Sequence, residues 1–151
     1  MIIHTSGDIL QDDADALVNP VNCVGVMGKG LALQFKEAYP ENFEEYEIEA
    51  KAGHIVPGRV HLTNIMFYPP RFIVNFPTKR YWKEPSRYQD IDDGLSHLLD
   101  IIRMFNIESI AIPALGCGLG GLDWEDVKEL IESRLGDLDT EVRLYHPENS
   151  E

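Results

Sequence analysis

The amino-acid sequence predicts an α/β layered domain built around a central sheet. Short apolar, β-branched runs alternate with longer segments of helical periodicity, which is the pattern of layered α/β folds. Two of the runs, Leu17-Val18 and Ile110-Ala111-Ile112, are apolar throughout, as strands buried on both faces tend to be. The 151 residues match the length of one ordinary domain, and no stretch reads as a linker between two cores.

Taken in order, strands are expected at Ile2 to Thr5, Ala16 to Asn19, Arg59 to Thr63, Arg71 to Phe76, Ser109 to Ile112 and Val142 to Tyr145. Helices are expected at Leu31 to Ala38, Glu41 to Lys51, Tyr88 to Phe105 and Trp124 to Leu135. In the third helix Ile91, Leu95, Leu98, Leu99 and Ile102 recur at the spacing of one face, which marks that face as core. Pro40, Pro57, Pro69-Pro70, Pro77 and Pro113 fall at segment ends, where a missing N–H does least harm.

Hydrophobic residues make up 44% of the chain and charged residues 26%, enough apolar surface for a sizeable core. The net charge of −13 argues against a broad basic face for duplex DNA, so any nucleic-acid contact must be local. Met1-Ile2-Ile3-His4 runs straight into the first strand without a basic leader, and no run is long enough to span a bilayer. A cytoplasmic location without membrane contact is therefore expected. Cys23 and Cys117 lie far apart with no CxxC pair, which suits reduced thiols. His4, His54, His61, His97 and His146 are scattered singly, so no metal site is expected.

Two glycine-rich segments each follow an apolar strand and lead into a helix: Gly25-Val26-Met27-Gly28-Lys29-Gly30, and Gly116-Cys117-Gly118-Leu119-Gly120-Gly121. That order lets backbone N–H groups converge at a helix N-terminus, where partial positive charge favours a phosphate; two such loops suit a diphosphate. Tight turns alone would also account for the glycines. The first loop is not a P-loop, because Lys29 is followed by Gly30 and not by the Ser or Thr that Mg²⁺ requires. The second matches GxGxxG literally, but only residues 122–151 follow it, too few for the further βαβ units of a dinucleotide-binding dehydrogenase.

In this order the segments resemble the macrodomain family along nearly the whole chain. The matching pieces are Gly7-Asp8-Ile9, Leu17-Val18-Asn19-Pro20-Val21-Asn22, Met27-Gly28-Lys29-Gly30 and Ile112-Pro113-Ala114-Leu115-Gly116-Cys117-Gly118. Asn75-Phe76-Pro77-Thr78-Lys79-Arg80 and the Gly116 to Trp124 stretch are similar to the branch that cleaves ADP-ribose with a lysine. That branch includes glycohydrolases acting on protein and the DarG-type antitoxins acting on thymidine in single-stranded DNA.

The resemblance implies a three-layer α/β/α macrodomain with a central mixed sheet over residues 1–146, a tail at 147–151, ADP-ribose as ligand and no cofactor. It implies that Asp8 accepts the adenine amine with the Ile9 backbone beside it, although Asp8 could equally serve only as a turn former after Gly7. It further implies that Gly28, Lys29 and Gly30, with Leu115, Gly116, Cys117, Gly118, Leu119 and Gly120, enclose the diphosphate and distal ribose. Asn22 would hydrogen-bond that ribose, and Thr78 would line the site beside Lys79.

Lys79 is the implied catalytic residue. An amine beside the anomeric carbon attacks it when unprotonated, a state favoured by burial and by a neighbouring cation such as Arg80, and forms a Schiff base with the opened sugar. Where the protein-directed members carry an aspartate after Gly-Cys-Gly-Leu, this chain has Gly120; Asp123 is the nearest carboxylate and reads equally well as a helix N-cap. Glycine there is similar to the DNA-directed pattern, closest to the DarG-type macrodomains.

The basic, aromatic run Lys79-Arg80-Tyr81-Trp82-Lys83 points the same way, with Arg80, Tyr81 and Trp82 as contacts to single-stranded DNA and an ADP-ribosyltransferase toxin as the implied partner. A Trp anchored in the core would remove that argument. The alternatives are hydrolysis of glutamate-linked ADP-ribose on protein and a non-catalytic ADP-ribose reader.

Overall fold

The computed structural model describes residues 1–66 and 69–147. Its strands are β1 (Ile2–Thr5), β2 (Ala16–Asn22), β3 (His61–Asn64), β4 (Phe72–Lys79), β5 (Ser109–Ile112) and β6 (Glu141–Tyr145). The helices are α1 (Gly30–Ala38), α2 (Pro40–Lys51), α3 (Tyr88–Met104) and α4 (Trp124–Leu135), with a short 3-10 turn at Ile9–Gln11. The strands form one sheet in the order β1-β6-β5-β2-β4-β3, parallel except for β3, which runs antiparallel to β4.

Alternation along the central strands sends successive side chains to opposite faces, and each face is covered by helices. Ala16 and Val18 of β2, Val74 and Phe76 of β4, and Ile110 and Ile112 of β5 join one core with α3 and α4. Leu17, Ile73 and Ala111, one residue out of phase, pack with Phe35 of α1. Val21 packs with Tyr46 and Ala50 of α2. The result is the expected three-layer mixed-sheet sandwich. Ile91, Leu95, Leu98 and Ile102 of α3 are buried as their spacing predicts, each contributing roughly 1.5–3 kcal/mol. Gly94 lets α3 approach the sheet, since a Cβ there would fall 2.5 Å from Phe76 Cζ.

The principal departure from expectation is that β2 and β4 run through their prolines. β5 pairs only with Ala16 and Leu17, and β3 pairs with β4 no further than Asn75, so the carboxyl-terminal halves of β2 and β4 keep only each other. Each has one side without a partner strand, and there a proline nitrogen costs no ladder bond. Pro20 and Pro77 sit in those halves, and the strands continue to Asn22 and Lys79. These protruding ends carry the site. Of the expected tail 147–151, only Pro147 is described, and residues 148–151 lie outside the described residues.

Candidate functional site

Past the carboxyl ends of the parallel strands lies an open cleft of about 1120 Å³, the usual ligand position in open α/β sheets. Strand order dictates its layout. Thr5 pairs with Tyr145, so Gly7, Asp8 and Ile9 emerge beside Tyr145, His146 and Pro147 at one end. Asn22 pairs with Lys79, which places Lys79, Thr78 and Trp82 at the other. Pro113 and Ala114, from the end of β5, lie between.

At the first end Asp8 caps the 3-10 turn, its Oδ1 accepting Leu10 N–H at 3.0 Å. The other carboxylate oxygen makes no hydrogen bond among the described residues, so the turn role leaves it open to a donor in the cleft. The Tyr145 hydroxyl donates to Asp12 Oδ2 at 2.5 Å. His146 Nε2 lies 2.8 Å from His4 Nδ1, whose Nε2 is 3.2 Å from Glu132.

In the middle, Asn22 shapes the first glycine loop. Its Oδ1 accepts from Val24 N (3.1 Å), Val26 N (3.4 Å) and the Tyr46 hydroxyl (2.8 Å), while Nδ2 donates to Val26 O at 2.8 Å. Only one Nδ2 hydrogen is left to face the cleft. The loop delivers the N-terminus of α1 into the cleft: Gly28, Lys29, Gly30 and Leu31 line it, and Lys29, at the N-cap, makes no side-chain cap bond. The first-turn N–H groups are thus open to an anion.

The second glycine loop departs from the expectation. Gly116, Gly118, Leu119 and Gly120 line the cleft, but the helix that follows does not: Asp123 caps α4 by accepting Glu125 N–H at 2.8 Å. The nearest carboxylate is therefore a cap and supplies nothing to the cleft. Leu115 and Cys117, expected in the ligand set, turn away; Leu115 is fully buried and both pack against the α3/α4 core. Gly120 is held to glycine by its surroundings, since a Cβ there would fall 2.2 Å from Ser86 Oγ and 2.4 Å from Gly116 O. Across the cleft Leu119 extends to within 3.8 Å of the position a Cβ on Gly30 would take.

At the far end Lys79 is half-buried, and its Nζ donates to Trp82 O at 3.2 Å. Arg80 does not serve as expected: its guanidinium binds both oxygens of buried Asp90 at 3.1 Å and does not line the cleft. Asp90 pairs with its charge, and the ion pair anchors the loop. Trp82 is 43% exposed and lines the cleft; Tyr81 does not line it but lies against Trp82, ring centroids 5.0 Å apart. Lys83, part of the basic run but not among its expected contacts, sits 4.9 Å over the Trp82 ring and also lines the cleft.

Gln34, Tyr145 and His146 likewise line the cleft without a signal in the sequence, because helix and strand register brings them there. Cys23 and Cys117 are free thiols packed against different cores, and burial pushes each up to about 11. Among the described residues no group of three or more potential ligands could hold a metal ion, and no helix is long and apolar enough to cross a membrane.

Comparison with known proteins places this geometry. The family model described as Macro domain matches residues 18–131. A DNA ADP-ribosyl glycohydrolase of Mycobacterium tuberculosis is 49% identical over 149 residues, which are 97% of this chain and 42% of the relative. The chain thus spans less than half the length of that relative. The macrodomain of Thermus aquaticus DarG superposes with a TM-score of 0.93 at 43% identity, covering 97% of this chain and 99% of that one. Thermosipho africanus DarTG, solved in complex with ADP-ribose, superposes with a TM-score of 0.92 at 33% identity over 97% of this chain and 41% of its own. A mixed sheet between two helical layers, a cleft past its parallel strand ends and a matching family model over most of its length show that this chain belongs to the macrodomain family.

Proposed function

We propose that the chain binds ADP-ribose in this cleft and removes it from thymidine in single-stranded DNA, reversing the action of an ADP-ribosyltransferase toxin in the cytoplasm. The observation that carries the reading is the pairing of Lys79 with exposed Trp82 at one cleft end, opposite a Gly120 that has no room for a carboxylate. Relatives named DNA ADP-ribosyl glycohydrolase, a related DarTG complex that holds ADP-ribose, and a Thermosipho africanus relative that fuses transferase and glycohydrolase support it.

In this reading the α1 N-terminus and both glycine loops hold the diphosphate, Asp8 accepts from the adenine amine, and the free Asn22 Nδ2 hydrogen reaches the distal ribose. The unprotonated Lys79 amine attacks the anomeric carbon as the bond to the base breaks. The base departs with the electron pair and takes up a proton. The sugar ring opens to an iminium on Nζ, which water hydrolyses, releasing ADP-ribose and regenerating the amine. Trp82, with Tyr81 behind it and Lys83 above, offers a stacking surface and a cation for the flanking nucleotides.

The test offers the protein an oligonucleotide bearing ADP-ribosyl-thymidine and a protein bearing glutamate-linked ADP-ribose. We expect ADP-ribose release from the oligonucleotide alone, and Lys79→Ala to lower it by at least roughly 10³-fold while ADP-ribose still binds. Trp82→Ala should raise KM for the oligonucleotide about tenfold, the loss of one stacked base, with ADP-ribose affinity unchanged. Release from the protein substrate would move the assignment to glutamate-linked ADP-ribose. Binding without release from either substrate would make the chain a reader.

A further inference from the structure

The segment from Lys79 to Arg87 and the glycine loop from Gly116 to Gly121 meet at Ser86. The residue is 6% exposed, and its Oγ has no hydrogen-bond partner among the described residues. A buried hydroxyl left unpaired costs about 1–3 kcal/mol, so its position calls for an explanation.

The Ser86 N–H donates to Gly120 O at 3.0 Å. Its side chain fills the notch between two glycines, with a notional Cβ on Gly116 only 3.1 Å from Ser86 Cβ and one on Gly120 only 2.2 Å from Ser86 Oγ. Both glycines line the cleft and Ser86 stands behind them. At its other end the Lys79 segment is anchored by the Arg80–Asp90 pair. It is closed on itself by Lys79 Nζ to Trp82 O at 3.2 Å and Glu84 N to Tyr81 O at 3.0 Å. A short segment pinned at both ends transmits a displacement of its neighbour instead of absorbing it.

We propose that Ser86 is a positioning residue that sets the spacing between the two loops, so that ADP-ribose captured by the glycine loop shifts Trp82 toward the acceptor. Ser86 Oγ and Gly116 O both lie within 2.4 Å of the notional Gly120 Cβ, and Gly116 O, which already accepts Leu122 N–H, keeps a second lone pair. Closure of the glycine loop on a ligand gives the unpaired hydroxyl that acceptor. The proposal rests on the ADP-ribose reading of the cleft, but not on DNA as the acceptor.

Protein labelled with 5-fluorotryptophan has two fluorine resonances, from Trp82 and Trp124, assigned through Trp124→Phe. Titration with ADP-ribose is expected to move the Trp82 line. In Ser86→Ala, ADP-ribose affinity by calorimetry should stay within about threefold while the shift falls to less than about half; Ser86→Cys, which returns a γ atom to the notch, should restore it. An undiminished shift in Ser86→Ala would overturn the proposal, since Trp82 would then sense the ligand directly. Loss of ADP-ribose binding in Ser86→Ala with an unchanged melting temperature would also overturn it, making Ser86 a ligand-binding group. No heat of binding in the unsubstituted protein would overturn the ADP-ribose reading itself, and this proposal with it.

Discussion

The two glycine loops look alike in sequence and do opposite jobs in the fold. The loop at Gly25 to Gly30 is shaped by polar contacts: Asn22 holds the Val24 and Val26 amides, Tyr46 braces Asn22, and α1 opens its first turn to the cleft. The loop at Gly116 to Gly121 is shaped by exclusion, with Ser86 and the Gly116 carbonyl where a side chain on Gly120 would stand. Its helix is capped by Asp123 and does not line the cleft. A strand, glycine loop and helix in succession thus permit an anion site, and the cap decides whether the helix takes part.

Removing the hub of the first loop should have the largest effect. Asn22→Ala leaves the Val24 and Val26 N–H groups without their acceptor, and we expect a loss of about 2–3 kcal/mol in denaturant unfolding. An unchanged midpoint would mean that the backbone alone shapes this loop. For the second loop, Gly120→Ala should cost about 1–3 kcal/mol by overpacking and should weaken ADP-ribose binding in calorimetry. If this variant binds and melts normally, the steric basis for the missing carboxylate is lost.

Asp123→Ala separates the two helices. It should lower stability by about 1 kcal/mol, the usual worth of an N-cap, without changing ADP-ribose affinity; a drop in affinity would return α4 to the ligand site. The smallest change in stability, within about 0.5 kcal/mol, is expected for Gly28→Ala, whose Cβ meets only Val26 Cγ1 at 3.5 Å. Affinity should nevertheless fall, because the methyl enters the cleft. The two thiols, each pushed up to about 11 by burial, should alkylate slowly at neutral pH and faster as pH rises toward that value.

Much of the molecule was legible in its sequence. The apolar runs at Leu17-Val18 and Ile110-Ala111-Ile112 marked buried central strands, and the face from Ile91 to Ile102 marked α3, because burial on two faces and on one face leave different periodicities. The order of glycine segments identified the family, and most of the residues it implied line one cleft. Only the tertiary structure decided the rest. The strands are expected to end at Asn19 and Phe76, yet they pass on through Pro20 and Pro77 because neighbouring strands stop short. Arg80 read as a free cation, and Asp90, ten residues on, takes its charge. Leu115 and Cys117 sit in a loop that lines the cleft but face the core, and Ser86 carries no motif, yet it governs what Gly120 can be. Periodicity and turn chemistry are local and survive in the order of residues. A cap, a partner charge or an occupied notch depends on what another segment brings to the same place, and only folding brings it there.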